Sequence, residues 1–158
     1  MYLGTIGPWI DFDLIHKSLE MFPEVTYFFI GPKENTPKSH QRLLFFPPIP
    51  HTEVFKCMAL ADALIMPFEV SDFIRGVNPV KVYEYIYSCK PSIVVGYPET
   101  ERFSQYVNLY YNEIEFLELI RRLVNGDIGL KSSKEEANTY VMENTWDSRV
   151  KSICGFLN

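Results

Sequence analysis

Arg75, Lys81 and Glu84 are the residues whose types and spacing best suggest chemistry. They fall in the run Arg75-Gly76-Val77-Asn78-Pro79-Val80-Lys81-Val82-Tyr83-Glu84-Tyr85. A helix starting near Pro79 would offer unpaired backbone N–H groups and a positive dipole end at Val80 and Lys81. Proline suits that start, because its missing N–H would have no partner inside the helix. With Arg75 and Lys81 beside it, the segment could cradle a diphosphate without a glycine-rich loop. The alternative is that both cations are solvated surface charges. Glu84 lies one turn further on, at the i+4 position of a stripe that Val80, Tyr83 and Tyr87 continue at i, i+3 and i+7. A carboxylate on an apolar face is costly unless it is hydrogen-bonded or paired. Ribose hydroxyls of a ligand at the helix start would satisfy it, as would an ion pair with Lys81 or a bond to a tyrosine hydroxyl.

These residues need a frame. Tyr2–Ile6, Thr26–Ile30, Leu43–Phe46, Ala63–Met66 and Ser92–Val95 read as short apolar strands, and Asn108–Tyr110 could be a sixth. Between them lie helical patterns from about Asp11 to Phe22, from Glu53 to Leu60 and from Pro79 to Lys90. Glu113–Val124, Lys134–Glu143 and Asp147–Leu157 finish the chain as helices. Lys33–His40 and Pro67–Asn78 read as loops. All-apolar strands alternating with amphipathic helices predict a doubly wound, Rossmann-like parallel sheet of about six strands covered on both faces. Ligands of such sheets sit at the carboxyl ends of the strands, where strand order reverses. In the order 3-2-1-4-5-6 that point lies between the first and fourth strands, facing the loops 4–10 and 67–78. The working segment is therefore expected between Phe68 and Pro91.

The totals agree with one soluble domain. The chain has 158 residues, 47% hydrophobic and 22% charged. A net charge of −5 disfavours broad nucleic-acid binding, although it leaves room for a small phosphorylated ligand. Cys57, Cys89 and Cys154 are widely spaced and follow no metal-binding pattern, so they read as free thiols in a reducing, cytoplasmic setting. Neither a signal peptide nor a membrane-spanning run is visible.

Three runs bear a resemblance to the C-terminal half of GT-B glycosyltransferases, specifically the family 4 type that builds bacterial polysaccharides. They are Asp62-Ala63-Leu64-Ile65-Met66-Pro67-Phe68, Asn78-Pro79-Val80-Lys81-Val82-Tyr83-Glu84-Tyr85 and Cys89-Lys90-Pro91-Ser92-Ile93-Val94. The family pattern reads roughly Asp-hydrophobic-Pro-Phe, then Pro-x-Lys-x-Tyr-Glu-Tyr, then Gly-Lys-Pro. Supporting likeness extends to Tyr2–Ile6 with Trp9–Asp11 and to Asn144–Val150. The resemblance implies a retaining, metal-independent hexosyl transfer from a UDP- or GDP-type sugar, with no cofactor. Glu84 would bind ribose, and the N–H groups of Val80 and Lys81 would face the diphosphate, with Arg75 and Asn78 close by. Thr5 and Gly7 would border the phosphates, and the Pro48–Pro50 loop with Ile49 would lie near the base.

The chain departs from that pattern in two places. A paired acid, eight positions before Glu84 in many relatives, is Gly76 here, which obscures the donor sugar; Glu69 or Asp72 could substitute. Thr5 and Asp11 stand near positions where relatives carry diphosphate-binding Arg and Lys. The resemblance also implies an N-terminal acceptor-binding domain that is missing here, to be supplied in cis or in trans. The catalytic groups are unassigned, and any attachment to the inner face of the membrane would come through that other half. Half of a sugar-nucleotide epimerase of the same fold is an alternative, set lower because His16, His40 and His51 fall in three separate elements. A non-catalytic interaction domain is another, supported by Thr5, Asp11 and Gly76.

Overall fold

The computed structural model describes residues 1–34 and 37–156. The Asn35–Thr36 part of the expected loop and the last residue of the expected closing helix, Leu157, lie outside the described residues.

Two parallel three-stranded sheets form the centre of the chain. The first holds β1 (Tyr2–Leu3), β2 (Tyr27–Ile30) and β3 (Leu43–Phe46), in register Tyr2↔Phe29 and Tyr27↔Leu43. The second holds β4 (Leu64–Met66), β5 (Ser92–Val95) and β6 (Asn108–Tyr110), in register Leu64↔Ser92 and Ile93↔Asn108. The sheets meet at Met1, whose amino group donates to Ala63 O at 2.8 Å and whose carbonyl accepts from Ile65 N–H at 2.9 Å. That pair of bonds to residues on either side of Leu64 has the slant of a parallel ladder. Burial lowers the Met1 ammonium pKa to about 5, against the raising effect of the Asp62 charge.

Every residue of β4 and β5 is buried, which requires cover on both faces. Over β4 lies α4 (Lys81–Tyr87), whose Tyr85 OH reaches Ile65 O, with α7 (Lys134–Glu143) against α4 and α8 (Trp146–Phe156) against α7. The helix α6 (Glu113–Val124) packs on β6, α1 (Phe12–Met21) packs on α6, and α2 (His51–Ala59) buries Met58 in the same core. By contrast, β3 leaves Leu44 and Phe46 exposed. Local signals explain most boundaries. Asp11 caps α1, its Oδ1 accepting from Leu14 N–H at 2.8 Å, and Ser133 with Glu136 forms a capping box on α7.

Three expectations change. The helix expected from Glu53 starts at His51, directly after Pro50. The one expected near Pro79 starts at Lys81 and is two turns long. Two short helical turns, α3 (Asp72–Arg75) and α5 (Pro98–Glu101), occupy segments with no helical periodicity to betray them, each being four residues long. At the end of α4, Cys89 takes φ 52, the left-handed conformation where the resemblance places glycine.

Candidate functional site

Gly4 and Gly31 end β1 and β2 with φ of +142° and +147°. Their backbones touch: a Cβ at Gly31 would collide with the Gly4 carbonyl, so the floor above the two strands stays low. Over it, Lys81 reaches from the first turn of α4 and donates from Nζ to the Leu3 carbonyl, with the Tyr2 ring 5.3 Å away. Burial lowers the Lys81 pKa, partly offset by the charge of Glu84. A desolvated ammonium held mainly by one carbonyl has donor capacity to spare for an anion.

Glu84, one turn later on α4, is about a third exposed and does not bond Lys81 or a tyrosine. Its Oε1 lies 3.5 Å from Nε2 of His51, the first residue of α2. The tyrosines beside it are engaged elsewhere: Tyr83 OH accepts from Arg149 at 2.8 Å, and Tyr85 OH donates to Ile65 O at 3.0 Å. The expected stripe is also rearranged. α4 buries Val82, Tyr85 and Ile86, whereas Val80 and Tyr87 are exposed. Glu84 thus stands beside the buried face, not on it. Its half-exposed position lets a ligand reach it without the cost of a fully buried charge.

The other expected residues divide. Val80 N–H is taken by Asn78 O at 3.0 Å, so of the two N–H groups expected to face a diphosphate, Lys81's alone has no backbone acceptor among the described residues. Asn78 is exposed, and its Oδ1 accepts from Arg102. Arg75 is exposed at the end of α3, with no side-chain partner among the described residues. Thr5 is half-buried and its carbonyl accepts from Tyr2 OH at 2.9 Å; Gly7 is buried under the Trp9 ring, which a Cβ there would strike. Ile49 is half-buried along a largely apolar groove of about 700 Å³ that also borders Met1, Tyr27, Cys57 and Leu60. That groove carries few polar groups, and neither Lys81 nor Glu84 lines it.

The gap expected between the first and fourth strands is bridged higher up. Ile10 pairs with Phe68 in an antiparallel bridge, Asp11 N–H donates to Pro67 O and Glu69 N–H donates to Trp9 O, both at 2.8 Å. Glu69 borders a cavity of about 350 Å³ with Pro8, Ile10, Asp13 and His16. Asp72 is exposed in the first turn of α3.

Sequence reading missed the partnership of His51, since 33 positions separate it from Glu84 and no local pattern links them. It also separated His16 from His40, whose ring centroids are 6.2 Å apart. Arg102 went unnoticed because α5 did; it faces Asn78 and packs over Phe103 at 4.8 Å. Among the described residues no group of three or more metal-ligating side chains comes together, and no helix is long and apolar enough to cross a membrane.

No family model matches the sequence. The chain is 28% identical over 163 aligned positions to the "Putative teichuronic acid biosynthesis glycosyltransferase TuaH" of Bacillus subtilis (strain 168). The alignment covers 96% of this chain and 41% of that protein, so the chain spans about two fifths of its relative's length.

Proposed function

We propose that this chain is the donor-binding half of a glycosyltransferase, taking a nucleoside-diphosphate sugar of the UDP or GDP type for polysaccharide or glycoconjugate synthesis. The observation that carries the reading is the placement of Lys81 and Glu84. They lie on successive turns of one helix, the cation against the end of β1 and the carboxylate beside the start of α2. That spacing suits a diphosphate at one and a ribose at the other, with Pro47–Pro50 flanking the base. The likeness to the Bacillus protein supports the transferase class. The reading takes the two sheets as halves of one doubly wound sheet in the order 3-2-1-4-5-6, joined through Met1. It assigns acceptor binding, and the catalytic groups of a retaining hexosyl transfer, to a further domain in cis or in trans. It places the reaction on the cytoplasmic side, where nucleotide sugars would be met.

Titration calorimetry of the chain with UDP and with GDP tests this. One of them binds, and Glu84→Ala weakens it by at least about tenfold, because a hydrogen bond to a charged group contributes about 1.5–3 kcal/mol. Failure of both nucleotides to bind, or binding indifferent to Glu84→Ala, overturns the reading.

A further inference from the structure

We infer that His51 is a positioning residue for the Glu84 carboxylate and so sets the affinity of this site for the ribose of a nucleoside diphosphate; the inference rests on the donor-site reading. His51 opens α2 directly after Pro50, which takes φ −57° and ψ 144° and supplies no side-chain cap. Its ring meets Phe55 edge-on with centroids 6.3 Å apart, and Phe55 meets Tyr87 of α4 in the same way at 5.1 Å. This row of rings ties the start of α2 to the end of α4 and holds the imidazole on the side of Glu84. At 3.5 Å the Nε2–Oε1 contact is an ion-pair distance, longer than a good hydrogen bond, and it closes readily with a small side-chain rotation.

Neither partner makes another ion pair among the described residues, although the Lys81 charge acts on Glu84 from one turn away. Lys81 directs its ammonium to Leu3, and Glu53 on α2 pairs with Lys56 at 3.0 Å. The second carboxylate oxygen of Glu84, Oε2, has no partner among the described residues. A carboxylate held at one oxygen presents the other in a fixed direction, and the ordering cost is met before ligand arrives. The imidazole itself is 78% exposed, so it holds Glu84 without closing the site.

The test is a double-mutant cycle read by titration calorimetry with UDP and GDP and their 2′-deoxy counterparts. His51→Ala weakens the nucleotide that binds by about five- to tenfold, the size of one hydrogen bond. The same change made in Glu84→Ala has less than about a twofold effect, because the two residues act as a unit. His51→Gln, which restores an N–H donor, recovers most of the affinity, and preference for the ribo- over the deoxynucleotide shrinks in Glu84→Ala and in His51→Ala but not in His51→Gln. Additive losses, no loss, or failure of glutamine to rescue each overturn the inference. If wild type binds no nucleotide, the donor-site reading itself has failed; if Glu84→Ala weakens binding at least about tenfold and His51→Ala leaves it unchanged, only the role of His51 has.

Discussion

Lys81 of α4 donates a hydrogen bond to the carbonyl of Leu3 at the end of β1, across 78 positions of sequence. The contact pins the start of α4 over the carboxyl end of β1, and it keeps a cation beside the glycine pair Gly4 and Gly31. It also binds the charge at a cost, since burial depresses the Lys81 pKa.

Those opposing effects separate stability from binding in Lys81→Met. Loss of the bond to Leu3 O and relief from burying the charge nearly offset, so the urea midpoint shifts by no more than about 1 kcal/mol in stability. Affinity for UDP or GDP falls by at least about tenfold, since Lys81 is the cation that lies against Gly4. Equal losses in both measurements would make Lys81 a purely structural residue.

Cys89 takes a left-handed backbone conformation at φ 52, directly before Lys90-Pro91. A side chain there costs about 1–2 kcal/mol, which glycine avoids while losing some entropy on folding. Cys89→Gly should therefore raise stability by about 0.5–1 kcal/mol in urea unfolding at an unchanged m-value. A destabilised variant would mean that the half-buried thiol contributes more packing than its backbone costs.

Alkali should unfold the chain through its tyrosines. Burial pushes Tyr2, Tyr97 and Tyr140 up from 10.0 to about 12. Between those values the folded chain holds protons that the unfolded chain has released, so stability falls with rising pH. It is intact below about pH 10 and is lost progressively toward pH 12. Tyrosinate absorbance and far-UV circular dichroism should change together in one steep step; gradual ionisation with structure retained would contradict the burial of these hydroxyls.

Much of the frame was legible in the residues. The strands from Tyr27 to Ile30 and from Leu43 to Phe46 begin and end close to where an apolar run meets its punctuation, Gly31-Pro32 and Pro47-Pro48. The helix over Glu113–Val124 matched its periodicity to the residue. Alternating apolar strands and helices made a parallel α/β arrangement readable, because the hydrophobic period reports which face of each element is buried. The short turns at Asp72–Arg75 and Pro98–Glu101 were not readable, as four residues carry no period.

The candidate site divides along the same line. That Lys81 and Glu84 share one side of a helix follows from their spacing of three, a local property that sequence alone determines. What each one meets is decided by tertiary structure. Leu3 lies 78 positions from Lys81 and His51 lies 33 from Glu84, and only the parallel crossovers bring the ends of β1, β3 and β4 to one edge. The same packing turned Val82, not Glu84, into the core and tied Val80 N–H to Asn78. Helical geometry repeats within a turn and can be read from neighbours, whereas contacts between elements depend on how whole faces bury, which no short stretch of residues specifies.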